Sequence, residues 1–359
     1  MSAERQYRGR RAYTLENERI RVTVLVEGGH IAELTDKASG VNPLWTPVWP
    51  SIEPSAFDPA KHGNTYGGHG ESKLLAGIMG HNLCTDIFGG PSEEEAAAGL
   101  TPHGEGSVVP YQISVNDGVL EQRATFPMAQ LAFVRRIRLD GTAALIEERL
   151  TNLSGVDKPV AWTQHVTLGP PFLENGKTQF RASATRSKVF DQDWGEDGRY
   201  VTGADFSWPD VPLKGGGTLD LRVYPAAAVS GGYTTHLMDP HREHAFFMGW
   251  SPTSKVLCGY VWRQKDFPWM GIWEENHSRK QAPWLGKSLT RGMEFGVSPM
   301  PETRKAMVTR GSLFGVPGYR WLAAKSEAVT EYCAFIQPAD GIPDEVEWLG
   351  GGKLRFPRP

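Results

Sequence analysis

Apolar and polar residues alternate with a period of two along most of this chain. Glu18 to Val26 (ERIRVTVLV) reads as a half-buried strand, Gly28-Gly29 turns the chain, and His30 to Asp36 reads as its antiparallel mate. From Gly106 to Leu150 one strand follows another, with NDG and LDG as hairpin turns of the Asn/Asp-Gly type. Pro159 to Gly169 continues the series, and residues 177–191, 217–229, 232–239, 244–250, 255–263, 268–275, 288–297 and 328–337 add further strands. Helical spacing is scarce. Ser92 to Gly99 predicts one short turn with its acids at the N-terminus, and Pro317 to Lys325 is the one longer amphipathic candidate. With no alternation of strands and helices, the pattern predicts an all-β protein, a large antiparallel β-sandwich.

Residues 46–100 interrupt the alternation with prolines at 47, 50, 54 and 59 and the glycine-rich HGNTYGGHGES. A stretch of this length without its own period is functional or disordered, and its aromatic and apolar residues favour order. No repeat or low-complexity linker divides the chain, so a single domain over residues 1–359 is expected. Within it, 1–12 reads as a flexible lead and 350–359 as a surface tail.

Composition narrows the partners. Hydrophobic residues make up 40% of the 359, enough for a proper core, and a formal charge of −3 gives no reason to expect a nucleic-acid or anionic-membrane partner. Cys84, Cys258 and Cys333 are far apart and form no CxxC pair, which argues against a disulfide scaffold or a thiolate zinc site. The N-terminal residues lack an apolar core and no run of 18 apolar residues occurs, so a soluble, cytoplasmic protein is expected. His62, His69, His81 and Asp86 follow no metal-ligand spacing, and no metal or other cofactor is expected.

Candidate chemistry begins at Ser288 to Pro301. On strand parity Thr290, Gly292, Glu294 and Gly296 share a face, so Glu294 meets either solvent or a cleft floored by glycines. His103 sits in a Pro-His-Gly turn ahead of a strand, where it could also simply cap that turn. His165 shares a face with Thr163 and Thr167, opposite Trp162, Val166 and Leu168; a surface histidine would show the same parity. Trp269 and Trp273 also share parity and could stack on a sugar or be buried. Glu274, Glu275 and His277 could hold a cation or act as a base, or form a solvated loop paired with Arg279 or Lys280.

Four segments together resemble the aldose 1-epimerase, or galactose mutarotase, superfamily and its less-studied mutarotase-like branch. ERIRVTVLVEGGHIAELTD is similar to that family's opening strands, LTPHGEGS to its first histidine segment, QHVTLGPPFLENG to its second, and RGMEFGVSPMP to the strand of its catalytic glutamate. The resemblance implies a β-sandwich that interconverts sugar anomers without a cofactor. It makes Glu294 the general base, His165 the donor to the ring oxygen and His103 a polarising neighbour. Asn82, and more weakly His81, would contact hydroxyls where the family carries an Asn-Arg pair, and no arginine follows here. Asp239 is the candidate for the family's sugar-binding aspartate, and Trp273 and His69 are further substrate-contact candidates. The 46–80 insertion, with His69 and Glu71, has no counterpart and could form a wall of the cleft.

Three rivals remain open. Related sandwiches assist polysaccharide-processing enzymes, but this length leaves no room for a second catalytic domain. A carbohydrate-binding module would keep the aromatics without needing Glu294, His165 and His103 together. A sugar-phosphate epimerase would want several arginines at the cleft, for which Arg263, Arg279 and Arg291 are available.

Overall fold

The computed structural model describes residues 4–357. Twelve strands form one sheet and eight the other, with antiparallel ladders in both. In the larger sheet Arg5–Tyr7, Arg10–Glu16, Ile20–Leu25 and Ile31–Asp36 lead to His81–Asp86. Then come Lys158–Leu168, Leu289–Gly296, Trp269–Asn276, Ser230–Met238, Ala184–Val189 and Asp205–Ser207, with Arg320–Leu322 pairing to Lys158–Leu168 off this path. The smaller sheet runs Gln179–Ala182, His244–Ser251, Val256–Arg263, Glu327–Pro338, Ala143–Asn152, Leu131–Asp140, Val119–Phe126 and Gln112–Asn116. This is the expected antiparallel sandwich. No helix among the described residues is long and apolar enough to cross a membrane.

The main core lies between the sheets. Leu83, Trp162, Val166, Met293 and Phe295 of the larger sheet meet Ile146, Phe247, Tyr260, Trp262 and Tyr332 of the smaller. Phe295 stacks on Trp262 with ring centroids 4.2 Å apart. A buried ionic knot sits among these side chains. Glu148 accepts from Arg135 Nε at 2.7 Å, Tyr332 Oη at 2.8 Å, Gln164 Nε2 at 2.6 Å and Trp162 Nε1 at 3.0 Å. Each carboxylate oxygen therefore has two donors, which such a burial requires.

The larger sheet is covered on its other face as well. Residues 46–80 fold into Pro54–Ala56, Pro59–Tyr66 and Ser72–Gly77, and a second apolar cluster, including Trp45, Trp49, Leu74, Leu75, Trp273 and Trp284, fills the space beneath. Arg10 fastens this cover. Fully buried, it donates to Glu53 at 3.0 Å, Ser51 at 3.1 Å, Gly77 O at 2.7 Å and Glu27 O at 2.9 Å, and so ties both ends of the cover to the second strand of the larger sheet.

The expected flexible lead over 1–12 therefore fails from residue 4 onward, because Arg5–Tyr7 and Arg10–Glu16 are sheet strands; residues 1–3 lie outside the described residues. Pro317 to Lys325 is not a helix: Arg320–Leu322 pairs with Lys158–Val160, which fixes it in extended form. Of 217–229 only Thr218–Asp220 forms a strand. Leu354–Arg355 pairs with Glu347–Trp348, and Phe356 packs on Phe335 of the smaller sheet at 5.5 Å; residues 358–359 of the expected tail lie outside the described residues. Ser92 and Glu95 form a capping box at Glu93–Ala97, the expected short turn.

Candidate active site

Strand registers place Asn82, His165, Glu294 and Gly271 in one row across the larger sheet, on the face turned from the smaller one. Two residues along each strand the same face carries Thr167, Gly292, Trp273 and Tyr233. The glycines create room. A Cβ at Gly292 would stand 2.3 Å from Glu294 Oε1, and one at Gly271 would stand 2.1 Å from the Tyr233 hydroxyl. The glutamate side chain therefore folds back over Gly292, where an added Cβ would displace its carboxylate.

His103 arrives from a loop. It holds φ at +68°, fixed by its own N–H on Gly89 O and by Thr85 N on its carbonyl, and its ring lies 4.7 Å from that of His165. Hydrogen bonding sets its tautomer. Ser107 Oγ donates to Leu83 O at 2.7 Å, so it accepts from Asn82 Nδ2 at 3.0 Å. The same amide nitrogen donates to His103 Nδ1 at 3.2 Å, which leaves the ring proton on Nε2. His165 Nδ1 meets Thr167 Oγ1 at 3.0 Å, and its Nε2 stands 3.1 Å from Glu294 Oε1, close but not aligned as a hydrogen bond.

Burial decides the charges. It pushes the Glu294 carboxyl up to about 8. It holds His165 well below the ordinary imidazole value, with His103 adding to the effect, and it lowers His103 to about 4 with help from the Arg279 charge. At 3.1 Å Glu294 and His165 could be an ion pair, but both shifts favour the uncharged forms. The pair rests with one proton, on the carboxyl, and no net charge.

Above the row lies a cavity of about 140 Å3 lined by Glu294, His165, His103, Tyr233 and Trp273. The cover contributes Glu71, Leu74, Leu75 and Ile78 to its wall, and Trp194, Arg279 and Trp284 come from loops. A much larger groove lies on the far face of the smaller sheet, remote from this row.

No protein-family model matches the chain, and no curated protein matches it either. Solved structures do. A candidate aldose 1-epimerase from Klebsiella pneumoniae superposes with a TM-score of 0.66 at 14% identity, over 92% of this chain and 80% of that one. A galactose mutarotase-like protein from Lactobacillus casei gives 0.58 at 13% identity, over 91% and 100%. A candidate aldose 1-epimerase from Escherichia coli gives 0.58 at 12%, over 91% and 99%. The fold is the galactose mutarotase-like one.

On this mutarotase-like sheet the expected residues separate into two groups. Glu294, His165, His103 and Trp273 line the cavity. Asn82 sits in their row but is enclosed, its amide engaged by His103 and Ser107, so it holds His103 instead of facing a ligand. His81 is one residue out of step. It points between the sheets, bonded to Gln164 at 2.9 Å and Tyr260 at 3.3 Å, and cannot reach the cavity. Asp239 lies on a turn past the end of Ser230–Met238, engaged with His241 N and Arg242, and His69 is exposed ahead of Ser72–Gly77. Neither lines the cavity.

The acidic cluster also separates. Glu274 faces the core with Ser230, Tyr200 and Arg291, while Glu275 binds Ser278 and the Arg279 amide, and His277 meets Gly286 O. Of the three candidate phosphate-binding arginines, only Arg279 lines the cavity. Arg291 is buried on the opposite face, and Arg263 pairs with Asp266 and Glu331. Sequence reasoning missed Trp194, Tyr233 and Trp284 as lining residues; only the general excess of aromatics hinted at them.

Proposed function

We propose that this protein is an aldose 1-epimerase-like enzyme that interconverts the anomers of a free aldose by acid-base ring opening. One observation carries the reading: Glu294, His165 and His103, far apart in sequence, meet around a cavity of about 140 Å3. A cavity of about 150 Å3 takes up benzene, so a six-membered ring is the right size of guest.

The resting proton on Glu294 passes to His165 Nε2, 3.1 Å away, which makes a carboxylate base and an imidazolium acid with no change in net charge. The carboxylate takes the C1 hydroxyl proton as the imidazolium protonates the ring oxygen, and the bond from C1 to the ring oxygen breaks. C1 becomes the aldehyde carbon, rotation about C1–C2 exchanges its faces, and reversal of both transfers closes the ring. Ring opening leaves the pair neutral; ring closing regenerates the carboxylate and the imidazolium, and the proton then returns from His165 to Glu294. The Nε2–H of His103 supplies a hydrogen bond to a sugar oxygen, a role suited to a neutral imidazole.

The experiment is anomer exchange by NMR or polarimetry on a panel of aldoses, with Glu294→Gln and His165→Asn beside wild type. Acceleration kept by both variants would sink the mechanism. The pH dependence follows from the shared proton: above about pH 8 Glu294 loses it and His165 is left neutral, so the base remains and the acid is gone. With the uncatalysed rate subtracted, kcat/KM should be level near neutrality and fall roughly tenfold per pH unit above that point. A rate that climbs through pH 8 would contradict the shared proton.

Gly292→Ala offers a geometric check. Its Cβ would overlap Glu294 Oε1, the movable end of a side chain, so the fold should survive while the carboxylate shifts. A displacement of about 1 Å predicts a loss near 10²-fold in kcat with little change in thermal midpoint. Unchanged kcat would remove the need for glycine there.

A further inference from the structure

We propose that Glu71 and Arg279 read the sugar's hydroxyls and restrict the site to uncharged pyranoses. The inference rests on the anomer-exchange reading above and names the substrate class of that site. Both side chains line the cavity that holds Glu294 and His165. The Arg279 guanidinium lies over Trp284 at 4.8 Å, Trp273 at 5.6 Å and Trp194 at 5.9 Å, measured to ring centroids. Its nearest acid, Glu275, approaches Nε at 3.6 Å, and that carboxylate already accepts from Ser278 N at 2.8 Å, Ser278 Oγ at 2.6 Å and Arg279 N at 3.0 Å.

Arg279 approaches Glu275 through Nε, and Glu71, at the start of Ser72–Gly77, makes no side-chain cap hydrogen bond to its helix. An acid and a base thus line one small cavity. Three indoles surround the guanidinium, so little freedom is lost when it binds. A hydroxyl both donates and accepts, so neighbouring hydroxyls on one sugar satisfy Glu71 and Arg279 together. A phosphate or carboxylate would satisfy Arg279 but meet repulsion from Glu71, with a single arginine where a phosphate wants several.

The test measures anomer exchange, and sugar binding by saturation-transfer NMR, for glucose, galactose, glucuronate and glucose 6-phosphate. Wild type, Arg279→Gln and Glu71→Gln are compared. Wild type should favour a neutral sugar by about tenfold or more in kcat/KM. Each variant should raise KM for it by about tenfold to a hundredfold with a smaller change in kcat, the usual scale for a lost charged hydrogen bond. Glu71→Gln should also narrow the gap between neutral and anionic sugars. A wild type that prefers either anion, or variants with unchanged KM and unchanged discrimination, would overturn the proposal. If no sugar is exchanged but a neutral one binds, and both variants weaken that binding, the enzymatic reading falls and the hydroxyl-reading pair stands. Exchange that neither variant disturbs gives the reverse, and a protein that neither exchanges nor binds any sugar loses both.

Discussion

Glu294→Gln should lower kcat/KM for anomer exchange by about 10²- to 10⁴-fold, the range for losing a positioned general acid-base group. The amide keeps the shape of the side chain over Gly292 but can neither take the C1 proton nor pass one to His165. Stability should move the other way. The unfolded chain ionises this carboxyl near 4.5, whereas burial holds it protonated in the fold up to about 8. Wild type therefore loses stability as pH rises between those values, and the neutral amide does not. Unfolding in urea at about pH 4 and about pH 8 should show the variant gaining on wild type at the higher pH. A large activity loss accompanied by lower stability at both pH values would instead mark Glu294 as structural.

The second large effect lies behind the site. Glu148→Ala should cost about 3–5 kcal/mol, because it strands the Arg135 charge between the sheets and removes the acceptor of Tyr332, Gln164 and Trp162. Gln164 is the chain neighbour of His165 on the opposite face of its strand, so the knot also steadies the reacting row from below. Replacing Arg135 and Glu148 together by apolar residues of similar size should cost less than the single change. Denaturant unfolding of both variants decides it, and a single-variant loss under about 1 kcal/mol would mean that the knot contributes little.

These two buried systems also explain which residues were legible beforehand. Glu294 stood out because glycines two residues to either side mark a face where something must approach the backbone, and His165 followed from its parity with Thr163 and Thr167. His81 went astray for a related reason. His81–Asp86 is buried throughout, so no polar face shows its phase, and an error of one residue exchanges cavity for core. Arg10 looked like part of a charged lead because its partners, Glu53 and Gly77, lie 43 and 67 residues away. Local pattern carries no trace of such pairing. Arg279 was visible as a charge, but its place among three indoles depends on loops whose course no periodicity describes.

The division between the strand-borne row and the cover of residues 46–80 has a consequence for diversification. Glu294 and His165 stand on paired strands, while one wall of the cavity belongs to the cover of residues 46–80 tied down by Arg10. Under the proposed function, exchanging that segment would alter which sugar is held and leave the proton-transfer row in place.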